Sequence, residues 1–235
     1  MKKIAVIPAR GGSKRIPKKN ITDFMGKPLM AWTIEAAQRS NIFDRIIVST
    51  DDSEFADVAE KYGCNVPFLR DTNADDITPV SEATIRAIEQ AEQFYSESYD
   101  VVVQLMANAP IRDEADILKH FNHFVQSDLE FQISCFPFGW MNPWWAFKMG
   151  ENYNHEWLHI EALNKRSQDL AKLYCPTGAI WIAKKDALFK EKTFYGPDFQ
   201  FHEIGWKSAV DIDDYEDLDF AKAVFYLNSH QANNV

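Results

Sequence analysis

Short runs of apolar and β-branched residues alternate with stretches of helical periodicity in the first half of the chain. This alternation is typical of parallel strands joined by crossover helices. The run at 100–105 is almost continuously apolar, which indicates a strand covered on both faces. The pattern therefore predicts an α/β protein with a mostly parallel sheet. Strands are predicted at 3–8, 45–49, 65–69, 100–105 and 131–136, and helices at 27–39, 54–62, 78 to about 95 and 113 to about 125.

The regular pattern stops at residue 139 and resumes near residue 178. Residues 139–172 are rich in tryptophan, asparagine and charge and have no sustained period, so they are predicted to form an insertion. Strands are then predicted at 178–183 and 207–212, followed by a helix from about 214 to 227. No internal repeat or low-complexity linker divides the sequence, so residues 1–235 are expected to form one domain that carries the insertion.

Composition narrows the class of protein. The 46% hydrophobic content can fill a core without disulfides or a structural metal, and Cys64, Cys135 and Cys175 have no paired spacing, which is typical of reduced thiols. The formal net charge of -10 argues against the broad basic face that nucleic acids or anionic membranes require. The apolar run at 4–9 is too short for a membrane span or a signal peptide. A soluble, cytoplasmic protein is expected.

The strongest candidate for chemistry is the loop after the first strand. Between residues 9 and 20 it contains no carboxylate but has a glycine pair, Ser13 and a cluster of cations, namely Arg10, Lys14, Arg15, Lys18 and Lys19. Glycine amides that turn inward, with a hydroxyl and several cations, predict a polyphosphate site. The loop has neither the GK[ST] of a Walker A motif nor a GxGxxG pattern. The alternative is a solvated basic turn.

A second candidate is the pair Asp211 and Asp213. In an extended segment, residues two apart point the same way, so both carboxylates could meet one Mg²⁺ ion, which prefers oxygen ligands and shares its shell with phosphates. The alternative is that Asp213 or Asp214 caps the last helix. Near the second strand, the run 49–52 lies where α/β sheets bind ligands, but a helix cap is the favoured interpretation.

A third candidate lies at the end of the insertion. Arg166 could bind a carboxylate through a bidentate contact. The preceding tryptophans predict a subunit interface or a sugar-stacking surface, with a local satellite core as the alternative.

Several segments together resemble one family. In order along the chain these are AVIPARGGSKRIPKKN, IIVSTDD, VPFLR, PIR, SQDL, PTGAIW and AVDIDDYEDLD. This order is similar to that of acylneuraminate cytidylyltransferases, the CMP-sialic acid synthetases and their bacterial relatives for pseudaminic and legionaminic acids. The resemblance covers residues 4 to about 223. It implies a doubly wound sheet of the nucleotide-diphospho-sugar transferase type, with residues 139–172 as the arm of a homodimer.

The resemblance also implies roles for individual residues. CTP would be bound by the loop residues Arg10, Gly11, Gly12, Ser13, Lys14, Lys19 and Asn20, with Arg70 near the cytidine. Asp211 and Asp213 match paired Mg²⁺ ligands and, with Arg10 and Lys19, would be catalytic. The second substrate would be a nine-carbon 2-keto sugar acid, bound by Asn108 and, from the arm that reaches over the partner's site, by Arg166 and Gln168.

Two departures bear on the sugar. Met106 to Ala109 replaces a glutamine-proline-threonine-serine run, and Cys175 stands where sialic acid enzymes often have arginine. Both fall where the acyl sugar should lie, so a diacetamido nonulosonic acid is at least as well supported as N-acetylneuraminate. Two alternatives stay open: a CMP-Kdo synthetase or another sugar nucleotidyltransferase, and a non-catalytic protein that retains the fold.

Overall fold

The computed structural model describes residues 1–71 and 78–231, without the side chain of the last of these. The strands are β1 (Lys3–Pro8), β2 (Asp23–Phe24), β3 (Lys27–Pro28), β4 (Arg45–Ser49), β5 (Val101–Gln104), β6 (Phe131–Pro137), β7 (Phe147–Met149), β8 (His155–Trp157), β9 (Tyr174–Lys184) and β10 (Gln200–Glu203). The α-helices are α1 (Leu29–Ser40), α2 (Ser53–Lys61), α3 (Val80–Tyr95), α4 (Glu114–Gln126), α5 (Lys185–Glu191) and α6 (Tyr215–Gln231).

One six-stranded sheet, in the order β10-β6-β9-β5-β1-β4, forms the centre of the molecule. β9 runs antiparallel to both neighbours, and the other neighbouring pairs are parallel. Side chains alternate across β1: Ala5 and Ile7 pack into a cluster with α1 and α4, whereas Ile4 and Val6 pack into another with α3. The sheet is mostly parallel, and because helices cover both of its faces it is doubly wound, as the resemblance implied.

Most predicted elements are present, and α4 shows why. Asp113 accepts a hydrogen bond from the Asp116 amide at 3.0 Å, and the two residues form a reciprocal capping box at the start of this helix. Local capping chemistry of this kind can be identified in the sequence alone.

Three predictions are wrong in detail. Residues 65–69 do not form a strand; a single parallel bridge joins Asn65 to Ile47. Residues 207–212 do not form a strand either: 207–209 lie in a turn, and the Ile212 amide donates to the Asn108 carbonyl at 2.9 Å. The last strand, β10, lies at 200–203 instead of 207–212. The sequence pattern did not predict α5. Pro28 precedes α1, and Pro79 is the N-cap of α3 instead of its first helical residue.

A third apolar cluster joins the two ends of the chain. Ile16 and Leu29 pack with Ile212 and Leu218 in a buried group that also contains Phe24 and Ala221. Burial of these side chains holds the loop after β1 in contact with the segment before α6. The cluster therefore decides which polar residues of the two segments meet.

The segment 139–172 contains the β7–β8 hairpin and several short 3₁₀ turns. Large apolar side chains stand exposed along it, including Trp140 (86% exposed) and Tyr153 (89%).

In the part of the chain that the structure describes, no helix has the length and apolar character to cross a membrane.

Candidate active site

A cavity of about 530 Å³ opens at the carboxyl ends of β1 and β5, the edge where open α/β sheets bind ligands. It is lined by residues of the loop after β1, of α3 and of the loop after β5. The full set is Pro8, Arg10, Ser13, Lys14, Arg15, Ile16, Lys19, Asn20, Arg70, Thr78, Val80, Ala83, Met106, Ala107, Asn108 and Asp213. The cationic loop and an aspartate from the end of the chain thus share one cleft.

Lys19 makes the connection across this cleft. Its Nζ donates to Asp213 Oδ1 at 2.8 Å, across 194 positions of sequence, and to the Ile212 carbonyl at 2.6 Å. Arg15 Nη2 lies 2.7 Å from the other carboxylate oxygen of Asp213. Partial burial opposes ionisation of Asp213, but the hydrogen bonds from Lys19 and Arg15 outweigh it and lower the pKa of the carboxyl.

The cap interpretation of the late aspartates is confirmed at Asp214, and the metal-ligand interpretation of Asp211 and Asp213 stays a prediction. Asp214 caps α6: its carboxylate accepts from the Asp217 amide at 3.0 Å, and Asp217 accepts from the Asp214 amide at 3.1 Å. Asp213 is thereby left to face the cavity. Asp211 does not line the cavity, but its charge interacts with Asp213. The pKa of Asp211 is raised by desolvation first and then by the charges of Asp213 and Asp217, although the residue retains access to solvent.

The two glycines of the loop differ from expectation. Gly11 donates its amide to Asp51 Oδ1 at 3.0 Å, so this amide turns away from the cavity. A Cβ at Gly11 would lie 2.8 Å from Asp52 Oδ2, whereas one at Gly12 would meet nothing within 4 Å. Neither glycine lines the cavity. Glycine is needed at position 11 because the loop passes close to the chain after β4, and not because its amide turns into the cavity.

Arg70 presents an unusual guanidinium to the cavity. Its side chain is 3% exposed, and Nε and Nη2 have no hydrogen-bond partner among the residues described. Asp51 Oδ1 lies 3.7 Å from Nη2. Desolvation lowers the pKa of Arg70, and the nearby charge of Arg10 lowers it further against the pull of Asp51. A buried cation with unused donors favours an acceptor-rich ligand.

Asn108 extends the polar wall beside Asp213. Its Nδ2 donates to the Ile212 carbonyl at 3.1 Å, and Oδ1 is buried without a partner in the described part of the chain. Asn20 is also buried at the cavity and makes a long contact of 3.5 Å from Nδ2 to the Arg10 carbonyl.

Arg166 and Gln168 are not brought to this cleft. Arg166 is 73% exposed and pairs with Asp169 at 2.7 Å, within its own segment, and neither predicted sugar contact lines the cavity of its own chain. Any contact of these residues with a ligand in the cleft therefore needs a second copy of the chain or a movement of the segment.

A second cavity, of about 690 Å³, lies between the start of β5 and the end of β9. Its lysines are paired, for example Lys184 with Asp128 at 2.9 Å and Lys185 with Glu92 at 3.0 Å. Because these charges already have partners, its greater size does not make it the better ligand site.

Two residues at or beside the site, and one buried arginine with a structural role, were not singled out from the sequence. Arg15 was counted only as one loop cation, and Asp51 only as part of the run 49–52, whose predicted helix cap is confirmed at Asp52. Arg112 is fully buried and donates to the Ala179 carbonyl and the Thr33 hydroxyl, both at 2.8 Å. Burial lowers the pKa of Arg112 to about 10. The only sequence signal for Arg112 was its place in the PIR segment. Its contacts, to a β9 carbonyl and an α1 hydroxyl, hold the fold together.

Comparison with known proteins agrees with this geometry. Residues 4–196 match the model of a family described as cytidylyltransferase. The chain is 38% identical over 233 residues to the pseudaminic acid cytidylyltransferase of Campylobacter jejuni, covering 99% of this chain and 100% of that protein. It is 30% identical over 228 residues to the N-acylneuraminate cytidylyltransferase of Escherichia coli O18:K1:H7, covering 97% of this chain and 53% of that protein.

A solved structure shares the fold. The structure of CMP:2-keto-3-deoxy-manno-octonic acid synthetase complexed with CTP superposes with a TM-score of 0.70 at 16% identity, covering 97% of this chain and 100% of that one. Because the family model covers most of the sequence and the pseudaminic acid enzyme is matched along its whole length, this chain belongs to the cytidylyltransferase family, whose members are nucleotidyltransferases.

Proposed function

We propose that this protein transfers the CMP group of CTP to a nonulosonic acid of the pseudaminic acid type and releases pyrophosphate. The observation that carries the proposal is the cleft in which Lys19 meets Asp213 beneath the cationic loop. A cleft of this kind suits a polyanion that needs cations along one side and a carboxylate for a bound metal on the other.

The chain's own residues act by position and charge. The anomeric hydroxyl of the sugar acid attacks the α-phosphorus of CTP and gives up its proton to solvent, an O–P bond forms, and the bond to the departing pyrophosphate oxygen breaks. Arg10, Lys14 and Lys19 line the cavity and would neutralise the negative charge that grows on the phosphate oxygens. Arg70 would donate its unused hydrogen bonds to the nucleotide.

The residues present fit Mg²⁺. The charge of Asp213 raises the pKa of Asp211, and Asn108 Oδ1, beside Asp213, is buried without a donor among the described residues, so the available ligands are oxygens. Among the described residues no group of three His, Cys, Asp or Glu side chains is arranged to hold a metal. Bound Mg²⁺ would stabilise charge on phosphate oxygens as a Lewis acid.

The choice of sugar rests on two supports. Identity to the pseudaminic acid enzyme, 38%, exceeds that to the N-acylneuraminate enzyme, 30%. Met106 and Asn108 line the cavity within the segment that replaces the glutamine-proline-threonine-serine run of many family members, and a Cβ at Gly178 would lie 2.7 Å from Met106 Cγ. Met106 is thus packed tightly at this wall, where it would shape the sugar pocket.

We also propose that the protein acts as a homodimer through residues 139–172. The support is the row of exposed apolar side chains on this segment, since a patch of this kind marks an interaction surface. A second copy would bring Arg166 and Gln168 to the cleft that they do not reach within one chain. Light scattering on the wild type and on Trp140→Ser with Tyr153→Ser tests this: a wild-type monomer with full activity would contradict it.

The central test incubates the purified protein with CTP, Mg²⁺ and, separately, pseudaminic, legionaminic, N-acetylneuraminic and 3-deoxy-manno-octulosonic acids. Pyrophosphate release and the mass of the CMP-linked product are measured, and ATP, GTP and UTP replace CTP in parallel. We expect a CMP-pseudaminic acid product that Asp213→Asn abolishes. A product from the eight-carbon acid alone would support the alternative synthetase, and no turnover with any sugar acid would refute the proposal.

A further inference from the structure

Both carboxylate oxygens of Asp213 are already bound by cations of the loop after β1. Oδ1 accepts from Lys19 at 2.8 Å, and Oδ2 lies 2.7 Å from Arg15 Nη2. A divalent cation that approaches this carboxylate is repelled by both cations and competes with them for the carboxylate oxygens.

The two cations differ in how firmly they are held. The Lys19 side chain is 14% exposed and has a second acceptor, the Ile212 carbonyl, at 2.6 Å. The Arg15 side chain is 61% exposed, and in the described chain its guanidinium pairs with Asp213 alone. A solvent-exposed ion pair is weak, so Arg15 is the partner that can leave.

Arg15 also stands beside the place where phosphates would lie. It lines the cavity together with Ser13 and Lys14, its neighbours on the loop. Rotation about its side-chain bonds can carry the guanidinium from Asp213 to a phosphate without backbone movement. The planar guanidinium matches phosphate oxygens as well as it matches a carboxylate.

We propose that Arg15 is a displaceable counter-ion of Asp213, which holds free divalent cations off the carboxylate until a nucleotide arrives and draws the guanidinium away. This inference rests on the proposed function, because it takes Asp213 to be a metal ligand of a nucleotide site. The protein would then bind the metal more tightly when nucleotide is present, because movement of the Arg15 guanidinium to a phosphate also frees the Asp213 carboxylate.

The test compares Mn²⁺ binding to nucleotide-free protein by electron paramagnetic resonance in the wild type, Arg15→Gln and Arg15→Lys. Arg15→Gln is expected to bind free Mn²⁺ about two- to fivefold more tightly, the range for loss of an exposed ion pair, and Mn²⁺·CTP more weakly. Arg15→Lys should restore most of the wild-type behaviour, because it keeps the charge. Circular dichroism of each variant checks that it is folded.

Lys18→Gln is the matched control. Lys18 lies on the same loop, is 57% exposed and pairs with Glu54, away from the cavity lining. Lys18→Gln removes one positive charge, as Arg15→Gln does, but changes no contact of Asp213. The Mn²⁺ affinity should therefore stay near the wild-type value. In an Asp213→Asn background, Arg15→Gln should no longer change Mn²⁺ binding.

Equal Mn²⁺ affinity in the wild type and Arg15→Gln, including no binding in either, overturns the proposal, as does an equal gain in Lys18→Gln. Turnover of CTP and sugar acid by the same wild-type preparation separates the two hypotheses. Normal turnover with unchanged Mn²⁺ affinity refutes the role of Arg15 only, and absent turnover refutes the proposed function whatever the Mn²⁺ result.

Discussion

Lys19→Ala is the change that tests the cleft most directly. The substitution removes a cation that donates to Asp213 at 2.8 Å and to the Ile212 carbonyl at 2.6 Å, from a side chain only 14% exposed. Loss of one preorganised electrostatic contact in an active site lowers kcat by roughly 10²–10³. We expect a fall of that size in CTP turnover.

The same contacts should contribute to stability. Two acceptors that are partly shielded from water each lose one donor, although Arg15 stays on Asp213 and Asn108 on the Ile212 carbonyl, and the loss costs about 2 kcal/mol. For a protein of this length, that loss lowers the melting temperature by about 4–8 °C. The variant should therefore be folded at 25 °C, so that its turnover reports catalysis and not unfolding.

The assay measures initial rates of pyrophosphate release at saturating CTP and sugar acid, with thermal melts of the same samples. Lys18→Ala serves as the control, because the adjacent lysine pairs with Glu54 and does not line the cavity. The reasoning fails if Lys19→Ala retains kcat within about threefold of the wild type, or if Lys18→Ala loses as much.

Three further changes test other parts of the structure. In Gly196→Ala the new methyl group would overlap the buried Phe131 ring, so the free energy of unfolding in urea should fall by about 1–3 kcal/mol, whereas Gly205→Ala, with open space around it, should be near neutral. Burial lowers the pKa of His120 to about 4 from an ordinary 6.5, so the unfolded chain binds the proton first and stability is lost as the pH falls from 6.5 to 4. His120→Gln should flatten this slope in urea titrations, and parallel slopes would contradict the assignment. Asp51→Ala removes the acceptor of the loop amide and should raise the KM for CTP roughly tenfold, the worth of one charge-assisted hydrogen bond, in steady-state assays.

Elements governed by local rules were predictable from the sequence. β1 and β4 have the predicted bounds, because a continuous apolar run between polar segments fixes a buried strand. The residues 65–69 look similar but form one bridge only, although β4 beside them is the edge strand of the sheet, because Pro67 has no amide hydrogen to donate to a ladder. The direction of β9 was likewise not encoded locally.

The sequence by itself determined that a cationic glycine loop follows the first strand and that a cluster of aspartates precedes the last helix. Only the tertiary structure decided which aspartate faces the loop: Asp214 caps α6, and Asp213 is left for Lys19. The physical reason is the burial of Ile16 against Ile212, which fixes the two segments in register. Spacing along the chain cannot specify such a contact, because it forms between residues whose separation carries no local signal.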